Sequence, residues 1–173
     1  PKTLTIIGSG YIGLEFANMF ANYGTQVTVL DVHSDFLSRE DDDISQMIKQ
    51  DLENTGIKFE LGVKINRVED DTVFYEKNGQ ELSIKADRIL AATGRKPNTE
   101  NLGLENTDIQ LTDRGAIKVD DHLLTSVPNV WAIGDVKGGP QFTYISLDDY
   151  RIIKDQLFGS GKRVVSDRIN IPY

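Results

Sequence analysis

The stretch Gly8-Ser9-Gly10-Tyr11-Ile12-Gly13 stands between an apolar run, Leu4 to Ile7, and an amphipathic stretch from Ile12 to Tyr23. Few patterns constrain a fold more tightly. A strand that enters a glycine turn and leaves as a helix aims backbone N–H groups, and the positive end of the helix, at a single point. Gly8 permits the tight turn, Gly10 leaves room above it, and Gly13 lets helix and strand pack closely. The ligand that such a point suits is a pyrophosphate. Glycine clusters also make ordinary turns, so the residues that follow decide the matter.

They continue the alternation. Ile12, Phe16, Met19, Phe20 and Tyr23 recur at helical spacing, and Gly24 sits where a helix C-cap belongs. Gln26 to Leu30 reads as a buried parallel strand that ends in Asp31. A second helix is expected after Asp41-Asp42-Asp43, with Ile44, Met47, Ile48 and Leu52 on one face and Gly56 closing it; Ile57 to Glu60 is a third strand. The period then changes to short strands at Val63–Val68, Thr72–Glu76 and Glu81–Lys85. The dipeptide Asn78-Gly79 joins the last two, since both positions accept positive φ. Asp87 to Ala92 returns to a buried strand and runs into Thr93-Gly94-Arg95-Lys96-Pro97-Asn98. Strands are expected at Ile117–Val119 and Val130–Ile133, and a last helix at about Thr143 to Phe158. The fold class is therefore α/β: a Rossmann-type dinucleotide-binding domain over residues 1–98 with a three-stranded β-meander crossover, then a separate segment, 99–173.

Asp31 closes the second strand near the offset, about 20 residues, at which a carboxylate reaches the adenosine ribose hydroxyls. An acid there accepts from both hydroxyls and repels a 2′-phosphate. Val32 and His33 follow, and the first basic residue is Arg39, so the arginine pair of an NADP site is missing and NAD is favoured over NADP. Tyr11 and Glu15 share a helix face beside the turn. Neither His33 nor His122 has neighbours at metal spacing; both are read as solvated, Asp41–Asp43 as helix-start acid, and Asp148-Asp149 as an exposed helical pair. No metal site is expected.

The net charge of −8, with no run of Lys or Arg, argues against a nucleic-acid surface. No apolar stretch approaches the roughly 20 residues of a membrane span. With no cysteine the chain has neither a disulfide framework nor a thiolate nucleophile; from the acidic, ordinary globular composition a cytoplasmic location is expected.

Together these pieces resemble the pyridine nucleotide-disulfide oxidoreductases, the flavoprotein family of lipoamide dehydrogenase, glutathione reductase and mercuric reductase. Gly8-x-Gly10-Tyr11-Ile12-Gly13-x-Glu15 resembles the family's NAD turn. Ala92-Thr93-Gly94-Arg95-x-Pro97-Asn98 resembles the crossover back to the flavin domain, and Thr125 to Asp135 resembles the second flavin motif. Gly139 to Ile152 most resembles a mercuric-reductase-like branch that includes reactive-chlorine-resistance oxidoreductases. The resemblance implies a set of cofactor contacts: the Gly8–Gly13 turn with Ser9, Tyr11 as the aromatic that covers the flavin, Glu15 beside the nicotinamide, Asp31 on the adenine ribose with Val32 at a position that is Arg in NADP-using relatives, adenine near Val63 to Ile65, and a backbone contact from Gly94. For FAD it implies Gly134, Asp135 on the ribityl chain, and Phe142-Thr143-Tyr144 at the flavin pyrimidine edge.

The same resemblance implies what this chain does not hold. The family carries a second glycine turn beside a redox cysteine pair, and a His-Glu pair in a C-terminal dimerisation domain. No catalytic residue is therefore expected within these residues. The chain begins with Pro1 and ends at Asn170-Ile171-Pro172-Tyr173, which resembles that domain's first strand, so an excised middle of a homodimeric enzyme is expected, inactive alone. In the parent, NADH would pass hydride to FAD and then to a disulfide, metal ion or other acceptor. The alternatives are a flavin NADH oxidoreductase without the dithiol, of the ferredoxin-reductase or NADH-oxidase kind, and a non-catalytic nucleotide-binding module.

Overall fold

In the computed structural model, which describes residues 1–38 and 40–169, the apolar run before the glycine turn is β1 (Thr3–Ile7), and the turn opens directly into α1 (Tyr11–Asn22). The chain then forms β2 (Gln26–Asp31), α2 (Asp42–Asn54) and β3 (Lys58–Leu61). Three strands follow without helices, β4 (Lys64–Glu69), β5 (Thr72–Lys77) and β6 (Gln80–Lys85), before β7 (Arg88–Ala91). β1, β2, β3 and β7 make a parallel sheet in the order β3-β2-β1-β7, and β4-β5-β6 is an antiparallel meander. This is the expected α/β architecture with its meander crossover.

Parallel strands covered on both faces are rich in apolar residues, and β1 and β2 bury apolar side chains on both, with Thr5 fully buried among them. One face places Leu4, Ile6, Val27 and Val29 against Ala17 of α1 and Ile57; the other places Ile7 and Leu30 with Val63, Val73 and Tyr75. Ile6, Val29 and Leu30 have no exposed surface. Full burial of each such side chain is worth roughly 1.5–3 kcal/mol. The meander turns at Asn78 and Gly79, with φ of 52° and 78°, which closes the Lys77↔Gln80 pair as the Asn-Gly signal predicts.

Several expectations are corrected. On α1 most of the apolar stripe faces outward: Ile12, Phe16 and Met19 are about two-fifths exposed and Tyr23 is 78% exposed, while Phe20 packs against the core and Gly13, Leu14 and Ala17 are buried. Gly13 and Ala17 on the buried face let the helix approach the sheet closely, which leaves most of the bulky stripe on the other side. On α2, Ile44 and Met47 are likewise exposed, and only Ser45 is fully buried. Ile117–Val119 and Val130–Ile133 do not extend into strands; they contribute the isolated bridges Leu111↔Ile117 and Leu124↔Trp131.

The chain divides between Gly94 and Arg95, inside the Ala92–Asn98 motif, into two compact units. The second unit carries short 3-10 turns and α3 (Thr143–Phe158), around a smaller core that includes Ala116, Leu123, Ala132, Ile145 and Ile152. Arg39 and the terminal Asn170–Tyr173, expected to start a further strand, lie outside the described residues.

Candidate functional site

The glycine turn is fixed by sterics at two of its three glycines. Gly8 has φ of +107°, and a Cβ there would stand 2.4 Å from the Ala92 carbonyl oxygen. A Cβ on Gly13 would stand 2.1 Å from the Gly8 carbonyl oxygen. Neither position accepts a side chain without backbone movement. Gly10 differs: its φ is −71°, ordinary for any residue, and a Cβ there would meet nothing within 4 Å. Folding does not require glycine at this position, and the space above it is open. Gly10 is also the N-cap of α1, which no side chain caps, so the positive helix end faces that space.

Asp31 reaches back to this turn from the end of β2. Its Oδ2 accepts the Ser9 backbone N–H at 2.6 Å and the Ser9 hydroxyl at 2.8 Å. Its Oδ1 accepts the His33 backbone N–H at 2.8 Å and lies 2.9 Å from His33 Nδ1. Burial pushes the Asp31 carboxyl up, and the donors on His33 and Ser9 outweigh it, so the group ionises below the ordinary carboxylate range. His33, read from the sequence as solvated, is exposed but bonded to this acid. Val32 is exposed.

The other predicted residues of the first unit lie in α1, in β4 and after β7. Tyr11 opens α1 half-buried, and its hydroxyl donates to the Glu40 carboxylate. Glu15, one turn on, is exposed. Ile65, in β4, packs half-buried on the cluster that contains Ile7 and Leu30, the residues just before the turn and before Asp31. Gly94 has φ of +113° with open space where a Cβ would stand.

In the second unit, Gly134 (φ +68°) leads into Asp135, whose carboxylate lies 3.7 Å from Arg95. Phe142 is the N-cap of α3; its ring stacks on Tyr144 with centroids 5.4 Å apart, and Thr143 between them is exposed. Asp148-Asp149 is not an exposed pair. Asp149 has no exposed surface: it accepts the Gly134 N–H at 2.8 Å and Arg168 Nη2 at 2.5 Å, with Lys137 Nζ at 3.5 Å. Asp148 binds Arg163 and Arg168.

The family model described as pyridine nucleotide-disulphide oxidoreductase matches residues 1–149. The chain belongs to this family. The probable pyridine nucleotide-disulfide oxidoreductase RclA of Escherichia coli (strain K12) is 47% identical over 173 residues, 100% of this chain and 39% of the relative. The dihydrolipoyl dehydrogenase of Geobacillus stearothermophilus is 38% identical over 99% of this chain and 37% of its own length. For the mercuric reductase of Staphylococcus aureus the identity is 38%, over 97% of this chain and 31% of the relative. A solved structure described as the Cu(II) complex of HOCl-induced flavoprotein disulfide reductase RclA from Escherichia coli superposes with a TM-score of 0.91, over 100% of this chain and 39% of that one. The chain thus spans less than two-fifths of the length of these pyridine nucleotide-disulfide oxidoreductase relatives.

Within this family member, sequence reasoning missed Glu40 and the burial of Asp149. For Asp149 a signal existed: Ile145, Asp149 and Ile152 stand at spacings of four and three, so the acid shares the apolar face of α3. Glu40, distant in sequence from Tyr11, carried none. Among the described residues, no group of three or more His, Asp or Glu side chains could hold a metal ion, and no helix is long and apolar enough to cross a membrane.

Proposed function

We propose that the Pro1–Gly94 unit binds NAD(H), and that in a full-length oxidoreductase of this family it presents NADH to FAD, from which electrons pass to a disulfide, metal ion or other acceptor. One observation carries the nucleotide assignment: Asp31 is bonded to Ser9, so the carboxylate and the glycine turn form one continuous site. The open space at Gly10 fits a pyrophosphate, which a side chain there would displace. The uncapped start of α1 stabilises its negative charge. Asp31, ionised at neutral pH, accepts the ribose hydroxyls of NAD and repels the 2′-phosphate of NADP; the exposed Val32 offers that phosphate no counter-charge.

When bound, flavin supplies the two-electron acceptance and onward transfer that protein side chains lack. Asp135 would hold the ribityl hydroxyls, and the N–H groups at the start of α3, at Phe142-Thr143-Tyr144, would stabilise negative charge on the pyrimidine edge. By the resemblance, Tyr11 would be the aromatic that covers the flavin, Glu15 the acid beside the nicotinamide and Gly94 a backbone contact to NAD, with the adenine toward Ile65. The fuller protein is read as a cytoplasmic homodimer, on the resemblance and the acidic composition of this chain. The relatives are a probable pyridine nucleotide-disulfide oxidoreductase, a dihydrolipoyl dehydrogenase and a mercuric reductase, so neither the dithiol-free reductase nor the non-catalytic nucleotide-binding module is favoured.

Calorimetric titration of the chain with NADH and NADPH tests the reading. NADH is expected to bind more tightly, and Asp31→Asn to abolish most of the difference. Tighter binding of NADPH by the unmodified chain would overturn the NAD assignment.

A further inference from the structure

Asp31 already holds as many donors as a carboxylate accepts. Its two oxygens offer about four lone-pair sites in all. Ser9 N–H and Ser9 Oγ take two on Oδ2, at 2.6 and 2.8 Å; His33 N–H and His33 Nδ1 take two on Oδ1, at 2.8 and 2.9 Å. The side chain is 10% exposed, which leaves little room for further partners. Each oxygen therefore carries one fixed donor and one detachable donor. The fixed ones are backbone: Ser9 N–H is set by the glycine turn, and His33 N–H by the local turn that an aspartate makes with the amide two residues on. The detachable ones are side chains. A ribose brings two hydroxyls, which is one for each oxygen.

We infer that the Ser9 hydroxyl and the His33 imidazole occupy the places of the two ribose hydroxyls, so that His33 is a self-ligand which NADH displaces from Asp31. This rests on the NAD(H) reading of the turn and deepens it. The two stand-ins are not equal. Ser9 is 6% exposed, and its hydroxyl, both donor and acceptor, keeps a partner by rotating when a ribose hydroxyl arrives. The imidazole, with its proton on Nδ1, has no acceptor on that nitrogen and leaves Oδ1 to make room. Its side chain is 78% exposed, so the ring turns into water without disturbing the fold. Val32, also exposed, offers no donor in its place. His33 is thus a determinant of affinity, and it acts by competition.

The test titrates wild-type, His33→Ala and Asp31→Asn chains with NADH and with reduced nicotinamide mononucleotide, which lacks the adenosine half, and follows the His33 ring by 15N NMR. Removing a net hydrogen bond to the carboxylate is expected to tighten NADH binding about fivefold in His33→Ala. Binding of the mononucleotide is expected to be unchanged, and NADH alone should shift the His33 ring signals. Equal or weaker NADH binding by His33→Ala, or ring signals that NADH leaves in place, would sink the inference. The two levels separate cleanly. NADH binding that responds to Asp31→Asn but not to His33→Ala overturns only the self-ligand; a wild-type chain that binds no NADH overturns the NAD(H) reading and the self-ligand with it.

Discussion

At the scale of single residues, the three glycines of one turn do different work, and two substitutions separate them. Gly13→Ala places a methyl group 2.1 Å from a backbone oxygen, so helix and strand have to part. A cost of about 3 kcal/mol in chemical denaturation is expected, at the upper end for overpacking. Gly10→Ala meets open space at φ −71° and is expected to cost no more than about 1 kcal/mol, the difference between glycine and alanine at an N-cap. Its effect belongs to the ligand: NADH affinity measured by calorimetry should fall at least tenfold, and unchanged affinity would take the pyrophosphate away from this turn. Asp31 carries a pH signature. Its folded-state pKa lies below the unfolded value of about 3.9, so its contribution to stability is complete above that value and is lost as pH falls through the folded one. Urea denaturation between pH 5 and 2 should show a stability loss that Asp31→Asn lacks. This acid was legible in the sequence because strand, turn, helix and strand place it at a fixed offset. Its saturation by Ser9 and His33 was not, because hydrogen-bond count depends on rotamers that spacing does not encode.

At the scale of elements, the order of strands and helices in the first unit was readable because each apolar run is bounded by a glycine or a turn residue. Gly24 and Gly56, at φ of +85° and +91°, end α1 and α2, and Asn78-Gly79 ends β5. Which face of a helix would be buried was less readable. Hydrophobicity marked Phe16 and Met19 on α1, but close approach to the sheet favours Gly13 and Ala17, and the closeness of packing is a property of the pair of elements rather than of either sequence. The expected strand at Val130–Ile133 failed for a related reason: it pairs only through the Trp131 bridge, and its ends, Val130 and Ile133, are each 36% exposed. The Gly134 turn is held to α3 by Asp149, which accepts the Gly134 N–H. Asp149→Ala would take from Lys137, whose side chain is 7% exposed, the carboxylate beside it, and leave Arg168, 11% exposed, with Asp148 alone. Loss of one partner of a buried ion pair costs about 3–5 kcal/mol. A corresponding drop in the stability of the second unit is expected, with the NADH affinity of the first unit unchanged; a drop under about 1 kcal/mol would mean that the pair contributes little.

At the scale of the whole molecule, the division at Gly94 bears on where the nucleotide chemistry resides. Both described apolar clusters of the parallel sheet, one on each face, draw only on residues between Leu4 and Ala92. β7, the last strand of that sheet, pairs with β1 from Leu4↔Arg88 to Ile7↔Ala91, and the Gly8 turn closes against Ala92, so these contacts of the glycine turn lie within the first unit. A unit whose core and site are both internal should keep them when separated. A chain of residues 1–94 is therefore expected to fold cooperatively and to bind NADH within about twofold of the full 173 residues, a difference of under about 0.5 kcal/mol. Circular dichroism checks the first part and calorimetry the second. The outcome also separates two accounts of the relatives' shared architecture. If affinity survives, the Pro1–Gly94 unit is a self-sufficient nucleotide carrier to which flavin contacts are appended; if it falls tenfold or more while the fold persists, residues beyond Gly94 complete the nucleotide site, and the motif from Ala92 to Asn98 belongs to binding as much as to the crossover.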